Sequence, residues 1–153
     1  MHRARHLDAD RKAALSSTAA KERIASCGCG SLKVTLRGEP ADVYVCACQS
    51  CQQKSGGAFT YAAIFSTADA AITGEHKGWR RNGESGRWID NHFCPTCGYS
   101  VFFYGEGFGD GLIGITVGSL SDQDFAKPGR VYWSSRRHRW LELPADIPHI
   151  DTQ

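Results

Sequence analysis

The sequence predicts a mainly β, single-domain protein. Three observations carry that expectation. Short stretches of alternating apolar and polar residues recur along the chain. Glycines, 17 among 153 residues, sit between those stretches as turn formers. Outside residues 1–23, the 3.6-residue periodicity of an amphipathic helix is nearly absent. A chain of this length holds one core of ordinary size, and a hydrophobic fraction of 41% is enough to fill it.

The elements follow in order. Residues 32–37 (LKVTLR) alternate with period two, as a half-buried strand does, and Gly38-Glu39-Pro40 ends the run. Residues 42–47 (DVYVCA) and 59–66 (FTYAAIFS) are rich in β-branched and aromatic side chains and predict two more strands. Residues 77–82 and 87–93 flank Gly83-Glu84-Ser85-Gly86, the signature of a hairpin. Residues 101–104, 112–117 and 131–134 complete the set, with one helical turn expected over 121–125. No internal repeat of fixed period is present.

Residues 1–23 differ in composition from the rest and predict a mobile or weakly helical extension. They carry six basic and three acidic residues, leaving 12 and 13 in the remainder. Their best apolar run, Ala13-Ala14-Leu15, is far short of a secretory core, and Asp8, Asp10 and Glu22 argue against an organellar transit peptide. The expected domain is therefore 24–151, in a reducing cytoplasm where thiolates serve metals or chemistry. No apolar run approaches the ~18–20 residues of a membrane helix. The overall net charge of +2 is too small to argue for nucleic acid.

The chemistry lies in the seven cysteines. An odd number leaves a thiol over from any closed disulfide set. They fall into three groups: Cys27-Gly28-Cys29, Cys46-Ala47-Cys48-Gln49-Ser50-Cys51, and Cys94-Pro95-Thr96-Cys97-Gly98. The glycine after the last pair allows a turn whose amides face sulfur, and Pro95 stiffens it. A structural zinc takes four ligands; a catalytic zinc takes three and keeps one position open. Cys46, Cys48 and Cys51 lie within six residues, so one turn brings them to one ion. The economical partition then pairs Cys27 and Cys29 with Cys94 and Cys97. Three other readings compete: buried cysteines without metal, a redox Cys-x-x-Cys pair, or one structural zinc with three inert thiols. The spacing favours metal loops over the first, and the missing βαβ context disfavours the second.

In this order the motifs Cys27-Gly28-Cys29-Gly30, residues 46–56 (CACQSCQQKSG) and residues 93–98 (FCPTCG) resemble the glutathione-dependent formaldehyde-activating enzyme family, which also includes centromere protein V. Trp140 and Asp146-Ile147-Pro148 resemble that family's C-terminal ending, and the likeness spans about residues 26–151. The resemblance implies an Mss4-like zinc-binding β fold with two zinc ions. It assigns Cys27, Cys29, Cys94 and Cys97 to the structural ion and Cys46, Cys48 and Cys51 to the catalytic one. The implied activity is that of a carbon–sulfur lyase joining a small thiol, glutathione, to formaldehyde. Ala47 departs from the family, many of whose members place histidine there. The rival classes are a non-catalytic zinc module docking protein or nucleic acid, and a thiol or metal sensor. A net charge of −1 outside the extension, made more negative by metal-bound thiolates, disfavours nucleic acid.

Weaker expectations attach to other residues. The run Gly105-Glu106-Gly107-Phe108-Gly109-Asp110-Gly111 lacks the Lys-Ser/Thr of a phosphate cradle and reads as a turn rimming a pocket. Arg136-Arg137-His138-Arg139, with Trp133 and Trp140, makes a basic-aromatic patch, and Lys54, Arg80 and Arg81 are further candidate cations. Phe59, Tyr61, Trp79 and Phe93 are candidates to line a pocket or fill the core. His92 is expected as an ordinary strand residue.

Overall fold

A computed structural model describes residues 20–152. The expected mainly β architecture is present as two sheets. Strands β1 (Glu22–Ser26), β2 (Lys33–Arg37) and β5 (Ala70–Thr73) form a small antiparallel sheet in the order β1-β2-β5. The large sheet adds β3 (Asp42–Cys46), β4 (Thr60–Ser66), β6 (Lys77–Asn82), β7 (Trp88–Phe93), β8 (Ser100–Gly105), β9 (Leu112–Thr116), β10 (Val131–Tyr132) and β11 (His149–Ile150). Its order is β11-β10-β3-β4-β9-β8-β7-β6. One α-helix among the described residues, α1 (Gln49–Ser55), joins β3 to β4.

Period-two alternation gives the large sheet two different faces. Val43, Ala63, Phe65, Phe102, Ile113 and Ile115 pack with Ala25, Leu32, Val34 and Leu36 of the small sheet's side, and this is the main core. Their immediate neighbours Tyr44, Cys46, Ala62, Ile64 and Phe103 point the other way and pack together on the opposite face. That second face carries the three-cysteine segment. The alternation read from the sequence thus places the core on one side of the sheet and the chemistry on the other.

Several expected strands shift by a residue or two at their ends. The hairpin at Gly83–Gly86 closes through Gly83 N–H to the Arg87 carbonyl at 2.8 Å. The expected helical turn over 121–125 is a single turn in which Phe125 N–H bonds the Asp122 carbonyl, without a helix. β1 takes in Glu22 and Arg23, residues that composition groups with the extension. Arg23 is held there by its bond to the Gly38 carbonyl (2.6 Å) and its ion pair with Glu39 (2.9 Å). Residues 1–19 of the expected extension lie outside the described residues. Among the described residues no helix is long and apolar enough to cross a membrane.

Candidate metal centres and the adjoining cavity

The first cysteine group is built from two tight loops. Cys27 follows β1 directly and turns back through its N–H to the Leu32 carbonyl (3.0 Å), while Gly30, at φ 79°, takes the left-handed corner. Between β7 and β8, Cys94 N–H bonds the Tyr99 carbonyl (3.1 Å) and Gly98 N–H returns to the Cys94 carbonyl (2.8 Å). These loops bring the sulfurs of Cys27, Cys29, Cys94 and Cys97 within 4.8 Å of one another. Cys29 Sγ lies 3.6 Å from both Cys27 Sγ and Cys94 Sγ. Four sulfurs about 2.3 Å from a tetrahedral zinc would be ~3.8 Å apart, so the donor set fits that ion. Amides already serve the sulfurs: Leu32 N–H faces Cys27 Sγ at 3.3 Å, and Thr96 N–H faces Cys94 Sγ at 3.4 Å. The Ser31 hydroxyl lies 3.0 Å from Cys29 Sγ and 3.2 Å from Cys94 Sγ. Its hydrogen bond, with those of the Cys97 and Thr96 amides, lowers the Cys94 thiol to about 5.

The second group belongs to α1. Cys46 ends β3, Cys48 caps the helix, and Cys51 occupies its first turn, with Cys51 N–H facing Cys48 Sγ at 3.4 Å. Gly56 stops the helix in the left-handed region at φ 65°. Gln52 Nε2 donates to the Ala47 carbonyl (2.8 Å) and the Arg136 carbonyl (2.9 Å), fastening the helix to the C-terminal segment. The three sulfurs lie within 4.8 Å of one another. Hydrogen bonds from the Cys46 and Cys51 thiols hold Cys48 far below the ordinary thiol range. The same contact with Cys48, joined by Cys51 and burial, pushes Cys46 far above it. Cys51 is lowered by its bond to Cys46, but Cys48 and burial raise it further. Three thiolates this close repel one another unless a cation joins them, and sulfur donors suit a soft metal.

The groups differ in their surroundings. The three-thiol group opens onto a cavity of about 330 Å³, at the small end of the ~300–1,000 Å³ of ligand pockets. Tyr44, Ile89, Phe103, Phe108, Tyr132 and Trp133 form its apolar walls; Lys54, Arg81, Arg87 and Asn91 contribute polar groups, and the lining carboxylates Asp42 and Glu84 are paired with Arg130 and Arg136. The Lys54 ammonium sits 4.2 Å from the centre of the Phe103 ring. Burial is the main cause lowering it to about 8, against the upward pull of the neighbouring cysteines.

The other candidate residues divide. Lys54 and Arg81 reach the cavity; Arg80 instead stacks on Trp88 (4.1 Å) and pairs with Asp90 (3.2 Å). Gly107 and Phe108 of the glycine-rich run form part of the cavity wall, as a pocket rim should. Of the basic-aromatic patch, Trp133 lines the cavity and Arg136 pairs with Glu84 of the hairpin at 3.0 Å, while Trp140 is 74% exposed. Phe59 and Tyr61 line a separate, more open groove; Trp79 is exposed and Phe93 half-buried at the end of β7. His92 stacks on Phe102 beside His76, apart from the sulfurs. The cavity residues that sequence reading missed are Tyr44, Ile89, Phe103, Tyr132 and, above all, Asn91. A polar residue among the apolar positions of β7 was the available signal.

Two sheets carrying a four-thiol group and a three-thiol group define a cysteine-rich β domain in which each group could hold a metal ion, the second of them facing a cavity. The family model described as "Glutathione-dependent formaldehyde-activating enzyme" matches residues 22–136. The chain belongs to that family. A crystal structure of a Rhodobacter sphaeroides protein, a structural genomics target, shares the fold with a TM-score of 0.51 and 17% identity, over 82% of this chain and 98% of that one. No curated protein matches the chain.

Proposed function

We propose that this protein is a zinc-dependent enzyme of the carbon–sulfur lyase type, acting on a small thiol adduct such as S-hydroxymethylglutathione. One observation supports the reading above all: the three-thiol group, one sulfur short of a full tetrahedral set, faces a ligand-sized cavity, whereas the four-thiol group supplies all four sulfurs itself. In this reading Cys27, Cys29, Cys94 and Cys97 hold a structural ion, and Cys46, Cys48 and Cys51 hold a catalytic one. A zinc ion on three thiolates is a weak Lewis acid toward water but a good host for a fourth thiolate, which a substrate thiol supplies on losing its proton.

The chain's own residues then do the rest. The cavity's apolar walls exclude water from the reacting sulfur, and Lys54 and Arg81 meet the substrate's negative charge. Joining sulfur to the aldehyde carbon moves the carbonyl π pair onto oxygen, which takes up one proton. The Lys54 ammonium, lowered to about 8, is placed to offset that charge. Thiols that remain free of disulfide bonds accord with a cytoplasmic setting. A concave, ligand-sized cavity beside the three thiols favours an enzyme over a non-catalytic docking module.

Isotope-exchange NMR on glutathione and formaldehyde tests the activity. The zinc-loaded protein is expected to accelerate exchange above the spontaneous rate, and no acceleration at full metal occupancy overturns the proposal.

A further inference from the structure

Among the described residues lining the cavity, Asn91 is the deeply buried polar side chain whose oxygen has no partner. It lies on β7, is 6% exposed, and lines the cavity with Cys46, Cys48 and Cys51. Its Oδ1 accepts no hydrogen bond from any described residue. The large majority of buried side-chain polar atoms are paired, so a carboxamide oxygen left unsatisfied calls for a physical reason. Asparagine is also a poor strand former. Leucine would fill nearly the same volume without an unpaired oxygen, and the neighbouring positions of this face are apolar.

Register places the carboxamide beside the chemistry. Asn91 stands opposite Phe103 in the β7–β8 pair. Phe103 packs with Cys46 and Cys48 and carries the Lys54 ammonium over its ring. The group next to Asn91 is therefore the content of the cavity.

We propose that the Asn91 carboxamide reads the bound thiol compound by hydrogen-bonding one of its O–H or N–H groups; the inference rests on the reading of this cavity as the substrate site. Two donors in such a compound share that chemistry. One is the hydroxyl of the adduct, a single carbon from sulfur. The other is a peptide N–H of the thiol itself. Each would satisfy Oδ1, and each would make the cavity select against ligands that lack it, because an unpaired buried acceptor is costly.

The test uses the zinc-loaded full chain and its Asn91→Leu variant, titrated by NMR with two ligands. S-methylglutathione offers peptide N–H groups but neither a free thiol nor an adduct hydroxyl. The formaldehyde adduct of 2-mercaptoethanesulfonate offers the hydroxyl and a negative charge but no amide. Asn91→Leu is expected to weaken at least one of them by about 5–10-fold, and to raise the melting temperature by about 2–6 °C as the unpaired group is removed. Loss on the first ligand assigns the N–H; loss on the second assigns the hydroxyl. A variant that binds both ligands as well as the wild type overturns the inference, as does a wild type that binds neither. A variant that melts lower, with binding lost in step, makes Asn91 structural and equally overturns it. Binding through Asn91 without accelerated exchange would leave this inference standing and remove the proposed activity.

Discussion

The Lys54 ammonium lies 4.2 Å from the centre of the Phe103 ring, at the wall of the cavity that the three-thiol group faces. Aromatic support of this kind holds a cation in a half-buried place without tying it to a carboxylate. The charge is thus left for a ligand. Lys54→Met, which keeps the packing stem, is expected to raise KM for glutathione by about 10-fold while leaving that for neutral 2-mercaptoethanol within about 2-fold. Steady-state kinetics with the two thiols decide it: an equal rise in KM on both would remove the charge-reading role, while a fall in kcat common to both reports the oxyanion role.

The same lysine sets a pH dependence. Its pKa is lowered to about 8, chiefly by burial, so it is charged below that value and neutral above it. Affinity for S-methylglutathione, which has no thiol to titrate, is expected to fall as pH rises through 8. Lys54→Arg should flatten the profile, since a guanidinium keeps its charge. Stability moves in the opposite sense. Between about pH 8 and 10.4 the unfolded chain binds the proton that the folded lysine has lost, so this group's contribution to stability rises with pH across that window.

Metal content separates the two cysteine groups. Purified protein is expected to carry two zinc ions. Cys48→Ser should bring the ratio to about one with the fold retained, because α1 buries no residue fully and the main core lies on the other face of the sheet. Cys94→Ser should cost the fold itself. Cys94 is wholly buried within the main core, and its group joins the start of the chain to the β7–β8 loop. Zinc binding of ~10–16 kcal/mol in small domains exceeds the ~5–15 kcal/mol net stability of a typical one. Metal analysis and circular dichroism check both variants; two ions in Cys48→Ser would remove the second site.

What the sequence made legible was local. Each cysteine group spans a handful of residues, so spacing alone showed the loops, and Gly83-Glu84-Ser85-Gly86 announced its own hairpin. α1 stayed hidden because it has no apolar stripe: none of its residues is fully buried, and it is held by the Cys48 cap, Gly56 and Gln52 instead. Cysteine is not a usual helix cap, though Gly56 was a stop signal in plain view. β5 has no buried alternation to betray it, with three of its four residues exposed. The cavity lay furthest from reach. Its walls come from β3, β6, β7, β8 and the C-terminal segment, and only the strand register brings Asn91 and Phe103 together.

Gly114 offers a test of how closely that register holds the site. It stands opposite Phe103 in the β8–β9 pair, and the ring covers it so closely that a Cβ there would fall 2.3 Å from the ring's Cζ. Phe103 is itself 3% exposed, with the sheet beneath it and the cavity beyond. A methyl group at 114 therefore drives the ring toward the cavity and takes the seat of Lys54 with it. Ordinary strand propensity points the other way, since glycine weakens a strand interior and alanine relieves the backbone cost. Overpacking wins because the contact is with a ring closed in by its neighbours: Gly114→Ala is expected to lose about 1–3 kcal/mol in urea unfolding. The sulfurs do not rest on Gly114, so zinc content should stay at two ions while KM for glutathione rises. A more stable variant with unchanged KM would show that Phe103 is free to move, and that the cavity wall is set elsewhere.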